Sequence, residues 1–194
     1  MVVILRLSII FLLLSFSIIP KRILIMGDSI SKYQYGYQDQ LNTKLGSSEV
    51  NIAKGGMATP WMVKRLGQEL SADSSFTQVF IYGGMNDAFN SSIPISKTIS
   101  NLQKMVDLAN QKHIQPIVII GFDAKTSMIH CPYYTDSVYV PCAKKYIQIQ
   151  TEMLKLKNCK LIPVCPFTPS DLGDGIHPNA SGHKKLSDWI YKHL

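Results

Sequence analysis

Short apolar runs alternate with longer amphipathic stretches along the chain from residue 20 onward. The apolar runs are hydrophobic at nearly every position instead of every second one, which is typical of parallel strands covered on both faces. Such runs predict strands at residues 22–27, 49–53, 78–83, 116–121 and 160–164. The amphipathic stretches between and after them predict helices at about 31–45, 60–71, 95–113, 142–157 and 179–193.

This alternation of strand and helix predicts one α/β domain over residues 18–194. We expect a three-layer α/β/α sandwich of the flavodoxin-like kind, with a five-stranded parallel sheet and right-handed crossovers. Helix-start signals agree, because Pro60 follows Thr59 and Asn179 follows Pro178. Ligands bind such sheets at the carboxyl ends of the strands, so the residues after each strand are the ones to inspect for chemistry.

The first nineteen residues are almost entirely apolar, with Arg6 as their only charge. Polar positions at helical spacing are lacking, which leaves an export signal, a membrane anchor reaching to about residue 19, or a buried helix. The run is short for a membrane span, and Ser15-Phe16-Ser17 is an acceptable cleavage site. An anchor would have almost no linker before the first strand. We therefore predict that residues 1–17 are a signal peptide of a periplasmic or secreted protein, with the anchor as the alternative.

The composition of the 194 residues narrows the class of protein further. Apolar residues make up 46% and charged residues 17%, which excludes a disordered chain and a polytopic membrane protein. The formal charge of +7 favours weak association with anionic envelope surfaces. It does not indicate specific nucleic-acid binding, because lysines on predicted helices are usually solvated. Lysines of this kind are Lys144, Lys145, Lys155, Lys157, Lys184 and Lys185.

Four cysteines fit an oxidising compartment without requiring one. Cys159 and Cys165 flank a predicted strand whose six residue steps span about 20 Å, far beyond the reach of a disulfide. Cys131 and Cys142 bracket an irregular loop rich in proline and tyrosine and are the better candidates for a pair. The alternative is that all four are free thiols.

The first predicted strand is followed by Gly27-Asp28-Ser29-Ile30-Ser31. A serine on a tight turn from strand to helix is exposed, and its backbone N–H points toward the start of the helix. This geometry suits a nucleophile whose own N–H also stabilises an oxyanion. The alternative is that Ser29 only caps the following helix.

Small and amide residues follow the next two predicted strands. Paired glycines, Gly55 and Gly56, come after the second and allow the backbone to approach a ligand closely. Asn86 comes after the third and can present a side-chain N–H to the same point as the amides of Gly56 and Ser29. The alternatives are an ordinary turn for the glycines and an Asx-turn for Asn86.

Near the carboxyl terminus, Asp174 and His177 are separated by three residues. An aspartate in a turn can then accept a hydrogen bond from His Nδ1, which leaves Nε2 free to take a serine proton. Asp171 is six residues from His177 and is the weaker partner. His177 and His183 lack the spacing of metal ligands, so no metal site is predicted.

The segments that contain Ser29, Gly56, Asn86 and the Asp174–His177 pair occur in this order along the chain, the first three each after a predicted strand. Together they resemble the sequence pattern of the SGNH hydrolase family of GDSL-type esterases and lipases, and the resemblance extends over residues 22–193. Ile30 departs from the leucine of many members and is a conservative change. The compact length looks most like the thioesterase I/lysophospholipase L1 branch. The resemblance implies roles for five residues: nucleophile and first oxyanion donor Ser29, further oxyanion donors Gly56 and Asn86, and the Asp174–His177 pair.

The resemblance implies a serine hydrolase that cleaves carboxylic esters or thioesters through an acyl-enzyme, without a metal or organic cofactor. Acyl esters, including lysophospholipids, are the expected substrates, and acetylated polysaccharide is the alternative. A catalytically inactive binding module and a nucleotide-binding flavodoxin-like domain are further alternatives; the first turn lacks a glycine-rich phosphate loop. Some of the following residues are expected to line the substrate pocket, although an aromatic residue is more often part of the core: Tyr33, Tyr35, Tyr37, Trp61, Met62, Phe89, Met128, Tyr133, Tyr134 and Tyr139.

Overall fold

The computed structural model of the protein describes residues 21–194. The predicted signal peptide at residues 1–17, and the anchor alternative reaching to about residue 19, lie outside the described residues. Within 21–194, no helix combines the length and the apolar character that a membrane crossing requires.

Five parallel strands form one sheet in the spatial order β2-β1-β3-β4-β5, which confirms the predicted five-stranded parallel α/β fold. The ends of each strand lie within two residues of the predicted ends. The strands are β1 (Arg22–Met26), β2 (Ser48–Asn51), β3 (Gln78–Tyr82), β4 (Gln115–Ile119) and β5 (Lys160–Ile162). Their apolar side chains form the centre of the core, and Ile23 through Met26 of β1 are completely inaccessible to solvent.

Helices cover both faces of this sheet. In the described part of the chain they are α1 (Ser29–Lys32), α2 (Tyr37–Leu45), α3 (Thr59–Ala72), α4 (Met85–Ala88), α5 (Ile95–Gln111), α6 (Ala124–Ser127), α7 (Asp136–Met153) and α8 (Ala180–His193). After β2 the chain crosses back over β1 and adds β3, β4 and β5 in turn on the other side of β1. Because the crossovers are right-handed, this change of direction places α2 on one face of the sheet and α3, α5 and α7 on the other. Helix α8 returns to pack against α2, and α5 packs between α3 and α7.

The helix predicted over 31–45 is instead two helices separated by a turn. Tyr33 ends α1 in an extended conformation, and Tyr35 adopts the left-handed region with φ 61°. The side-chain amide of Gln38, in the first turn of α2, donates to the carbonyl of Tyr33 at 2.6 Å. This local bond favours the break.

Helix α7 begins at Asp136, six residues before the predicted start. Pro141 lies inside it. Pro141 has no N–H to donate to the carbonyl of Ser137, and because Ser137 is exposed, water can hydrogen-bond to this carbonyl instead.

All four cysteines are free thiols, so Cys131 and Cys142 do not form the disulfide that was the better of the predicted pairs. The early start of α7 explains the difference, because it places Cys142 on a helix instead of at the end of a loop. Cys131 is buried, and its Cα lies close to Gly175 in a separate turn.

Candidate active site

Ser29 begins α1 directly after β1, at the carboxyl edge of the sheet. Asp28 is the N-cap of α1 and accepts a hydrogen bond from the backbone N–H of Ile30 at 3.0 Å. The turn that precedes it requires glycine, because a Cβ at Gly27 would overlap the side chain of Ser31. The sequence therefore folds into a tight turn that leaves Ser29 partly exposed.

A chain of side-chain hydrogen bonds joins Ser29 to His177 and Asp174. Ser29 Oγ lies 2.9 Å from His177 Nε2, and His177 Nδ1 lies 2.7 Å from Asp174 Oδ2. With Nδ1–H donating to the carboxylate, Nε2 is the acceptor that faces the serine hydroxyl. The arrangement can remove a proton from Ser29 and hold it on a correctly oriented imidazole.

Asp174 is fixed in an anionic form by its surroundings. Its Oδ1 accepts the backbone N–H groups of Ile176 and His177, at 2.9 and 2.7 Å. Partial burial works to raise the pKa of Asp174, but these bonds and the contact with the His177 ring outweigh it and lower the pKa below its ordinary value. A carboxylate at this place can orient His177 without taking its proton.

The turn that carries Asp174 and His177 is held by the loop before α7. Gly175 has φ 84°, and a Cβ there would overlap the carbonyl of His130. The buried Tyr139 donates its hydroxyl hydrogen to the carbonyl of Gly175 at 2.5 Å. Loop and turn are therefore packed so closely that only glycine fits between them.

The side-chain amide of Asn86 contacts the loop that follows β2, at Met57, and the turn before Ser29, at Asp28. Asn86 Nδ2 donates to the carbonyl of Met57 at 3.2 Å and lies 3.4 Å from Asp28 Oδ2. Asn86 therefore contacts the neighbour in sequence of Gly56 and the neighbour of Ser29. Gly56 itself is exposed, with φ 73° and open space around it. This side of the site can offer N–H donors to a developing negative charge.

Two buried aspartates in the motifs have surroundings that the sequence did not reveal. Asp28 is completely buried, and burial raises its pKa to about 7 although the Ile30 N–H and the nearby His177 act to lower it. Asp87, also completely buried, accepts the backbone N–H of Thr59 at 2.9 Å and the hydroxyls of Thr59 and Thr98, at 2.5 and 3.1 Å. The sequence features that could have drawn attention to them are the Gly-Asp-Ser motif for Asp28 and the position next to Asn86 for Asp87.

Asp171 and His183, the weaker candidates near His177, have other partners. The carboxylate of Asp171 accepts hydrogen bonds from the ammonium group of Lys185 at 2.9 Å and from the backbone N–H of Thr168 at 2.8 Å. His183 is buried and accepts the backbone N–H of Tyr37 through Nδ1 at 3.2 Å. No cluster of three or more potential metal ligands occurs among residues 21–194.

The aromatic and methionine residues expected around the substrate fall into three groups. Four are buried in the core: Tyr37, Met62, Met128 and Tyr139. Trp61 and Phe89 are partly buried against it. Tyr33, Tyr35, Tyr133 and Tyr134 are exposed by 58%, 76%, 74% and 42%, respectively. These exposed tyrosines follow Ser29 or lie in the loop that packs on the Asp174 turn, and their rings are available to a ligand.

A family model described as the GDSL-like Lipase/Acylhydrolase family matches residues 25–185 of this chain. The isoamyl acetate-hydrolyzing esterase of Saccharomyces cerevisiae is 29% identical over 116 residues, which are 51% of this chain and 49% of the esterase. The match thus spans about half the length of that relative.

Two solved structures share the fold at low sequence identity. A GDSL-like lipase from Bacteroides thetaiotaomicron superposes with a TM-score of 0.73 at 17% identity, covering 89% of this chain and 86% of the other. TesA superposes with a TM-score of 0.64 at 19% identity, covering 90% and 98%. Since the family model matches most of the chain, the protein belongs to the GDSL-like lipase/acylhydrolase family.

Proposed function

We propose that the protein is a serine hydrolase that cleaves carboxylic esters through an acyl-enzyme intermediate. The observation that carries this proposal is the hydrogen-bonded series from Ser29 Oγ through His177 to Asp174, with separations of 2.9 and 2.7 Å. Membership of an acylhydrolase family and the similarity to an acetate-ester esterase support it.

In the first half of the reaction, His177 Nε2 takes the hydroxyl proton of Ser29 while Oγ forms a bond to the ester carbonyl carbon. The carbonyl electron pair moves onto its oxygen, which becomes an oxyanion. When this pair returns, the bond to the leaving alcohol breaks and the alcohol receives the proton from Nε2. Asp174 keeps the imidazole oriented and stabilises its positive charge while it holds the proton.

In the second half, water repeats the attack on the acyl-enzyme. His177 accepts one proton of the water molecule and returns it to Ser29 Oγ as the carboxylic acid leaves. The backbone N–H groups of Ser29 and Gly56 and the side-chain amide of Asn86 are the proposed donors to both oxyanions. Each such donor is typically worth a factor of about 10² or more in rate.

Labelling with a fluorophosphonate probe tests the assignment, because the probe reacts only with an activated serine. We expect Ser29→Ala to abolish labelling and to lower p-nitrophenyl acetate hydrolysis by about 10³-fold or more, as for other triads. Ser71→Ala, at an exposed position on α3, is the matched control and should leave both unchanged. Undiminished hydrolysis by Ser29→Ala would refute the proposal.

For the substrate, we infer an acyl ester of the lysophospholipid or simple-alcohol kind. The rival is an O-acetylated polysaccharide, which is favoured by the exposed faces of Tyr33, Tyr35 and Tyr133, since tyrosines stack on sugars. A nitrophenyl ester series from acetyl to dodecanoyl, run beside acetylated xylan, separates the two. Rates that rise with chain length support the first, and activity confined to acetyl groups on glycan supports the second.

Export through residues 1–17 is a further proposal, supported by the apolar character of that segment. The basic net charge of +7 separately supports weak association with anionic envelope surfaces. Amino-terminal sequencing of the protein recovered from the periplasm or medium decides it: a start near residue 18 supports cleavage.

A further inference from the structure

Lys145 lies on α7, and its ammonium group is used entirely within the protein. Its Nζ donates to the carbonyls of Asp87, Asn90 and Ile93, at 2.8, 2.7 and 2.7 Å. An ammonium group has three N–H donors, and each has a carbonyl partner here. The expectation that Lys145 is a solvated lysine was therefore wrong, whereas its neighbour Lys144 is exposed.

The three carbonyls belong to the segment that carries Asn86. Asn86 lies in α4, and Asp87, Asn90 and Ile93 lie in the last turn of α4 and the loop that follows it. Asp87 and Asn90 also accept the backbone N–H groups of Asn90 and Ile93, respectively, each at 3.2 Å. The bonds from Lys145 are shorter, and hydrogen bonds from a charged group are about twice as strong as neutral ones. Lys145 thus attaches the end of α4 and the loop that follows it to α7.

The position of Asn86 depends on this backbone more than on its own contacts. Its side-chain Nδ2 lies 3.2 Å from the Met57 carbonyl, at the upper end of the usual range, and 3.4 Å from Asp28 Oδ2, beyond that range, so these contacts hold it weakly and can be exchanged for a stronger bond to an oxyanion. On the other side of α4, the carboxylate of Asp87 binds Thr59 and Thr98. Asp87 therefore fixes α4 to α3 and α5, and Lys145 fixes it to α7.

We propose that Lys145 is a positioning residue that holds α4 so that the Asn86 amide meets the oxyanion. The proposal rests on the proposed function, in which Asn86 is one of the oxyanion donors. Lys145 does not bind substrate itself, since its three donors already have partners. Its effect is expected in kcat, because an oxyanion donor acts on the transition state more than on the bound ester.

A double-mutant cycle between Lys145 and Asn86 tests the proposal. We expect Lys145→Met to lower kcat for p-nitrophenyl acetate by about tenfold with KM changed less than about twofold, since small displacements of a catalytic group have effects of this order. In the Asn86→Ala background the same substitution should lower kcat by less than about twofold, because the group it positions is gone. Lys144→Met is the matched control and should leave kcat and KM unchanged.

All variants are assayed below their unfolding temperatures, as monitored by circular dichroism. Lys145→Gln, which keeps two donors, replaces Lys145→Met if the latter does not fold, and the same non-additivity is expected. An equal loss of kcat in both backgrounds, or no loss in either, would overturn the role of Lys145 while leaving the proposed function intact. An Asn86→Ala variant with full kcat would instead remove Asn86 from the oxyanion hole, and the Lys145 proposal with it.

Discussion

Asp28 lies between a glycine required by close packing and the proposed nucleophile, and its carboxyl group is completely buried. It accepts the N–H of Ile30 at 3.0 Å and lies 3.4 Å from the Asn86 amide. A buried carboxylate is costly, so burial raises the pKa of Asp28 to about 7 despite these partners. At neutral pH this residue changes its charge next to the proposed active site.

Because the pKa of Asp28 is raised on folding, its contribution to the free energy of unfolding decreases as pH rises. Between the unfolded value of 3.8 and the folded value of about 7, the native state binds one more proton than the unfolded chain. The contribution is fully present below 3.8 and is lost as pH rises through 7. Asp28→Asn keeps the cap oxygen but cannot ionise, so it should gain stability relative to wild type as pH rises, by at most about 4 kcal/mol.

Urea unfolding of wild type and Asp28→Asn at intervals from pH 4.5 to 8 measures this difference. Asp107→Asn, at an exposed position on α5, is the matched control for the loss of a carboxylate. A difference between Asp28→Asn and wild type that does not change with pH would show that Asp28 titrates as an ordinary aspartate.

Helices α8 and α2 connect the two segments that carry Ser29 and His177. His183 of α8 accepts the N–H of Tyr37 at 3.2 Å, and the Tyr37 hydroxyl lies 2.8 Å from Ser31 Oγ in α1. The ring of His183 also stacks on Tyr33, with centroids 4.9 Å apart. Because α1 begins with Ser29 and α8 follows His177, packing between these elements determines how Ser29 and His177 face each other.

The pH dependence expected from His183 has the opposite sign to that of Asp28. Burial first, and then the charge of His177, lower the pKa of His183 from 6.5 to about 4. Between these values the unfolded chain binds more protons, so stability falls as pH drops from about 6.5 to 4. His183→Gln cannot be protonated and should lose less stability than wild type over this interval, by at most about 3 kcal/mol.

Unfolding temperatures of wild type and His183→Gln at pH 4.5, 5.5 and 7 measure this effect. His130→Gln, at an exposed histidine, serves as the matched control for the loss of an imidazole side chain. Parallel pH profiles for wild type and His183→Gln would contradict the burial argument.

On the scale of the whole molecule, continuous apolar runs predicted the strands, since parallel strands are covered on both faces. The order of the polar residues after them was enough to select Ser29, Asn86, Asp174 and His177 as site candidates. The break at Tyr35 was not predictable, because a left-handed tyrosine lacks the glycine or asparagine signal of such a turn. The partners of Lys145 were also hidden, since its three carbonyls come from a segment more than fifty residues away.

The four cysteines provide a further prediction about the whole molecule, because each is a free thiol. Burial raises the pKa of Cys165 to about 12 and also raises those of Cys142 and Cys159, so these thiols stay protonated and react slowly at neutral pH. We expect four thiols to react with Ellman's reagent in guanidinium chloride and far fewer in the native protein. Dithiothreitol should then shift Tm by less than about 1 °C. Loss of a native disulfide typically costs about 2–5 kcal/mol, or several degrees for a domain of this size, so a large fall in Tm with only two titratable thiols would place a bond between two of the cysteines.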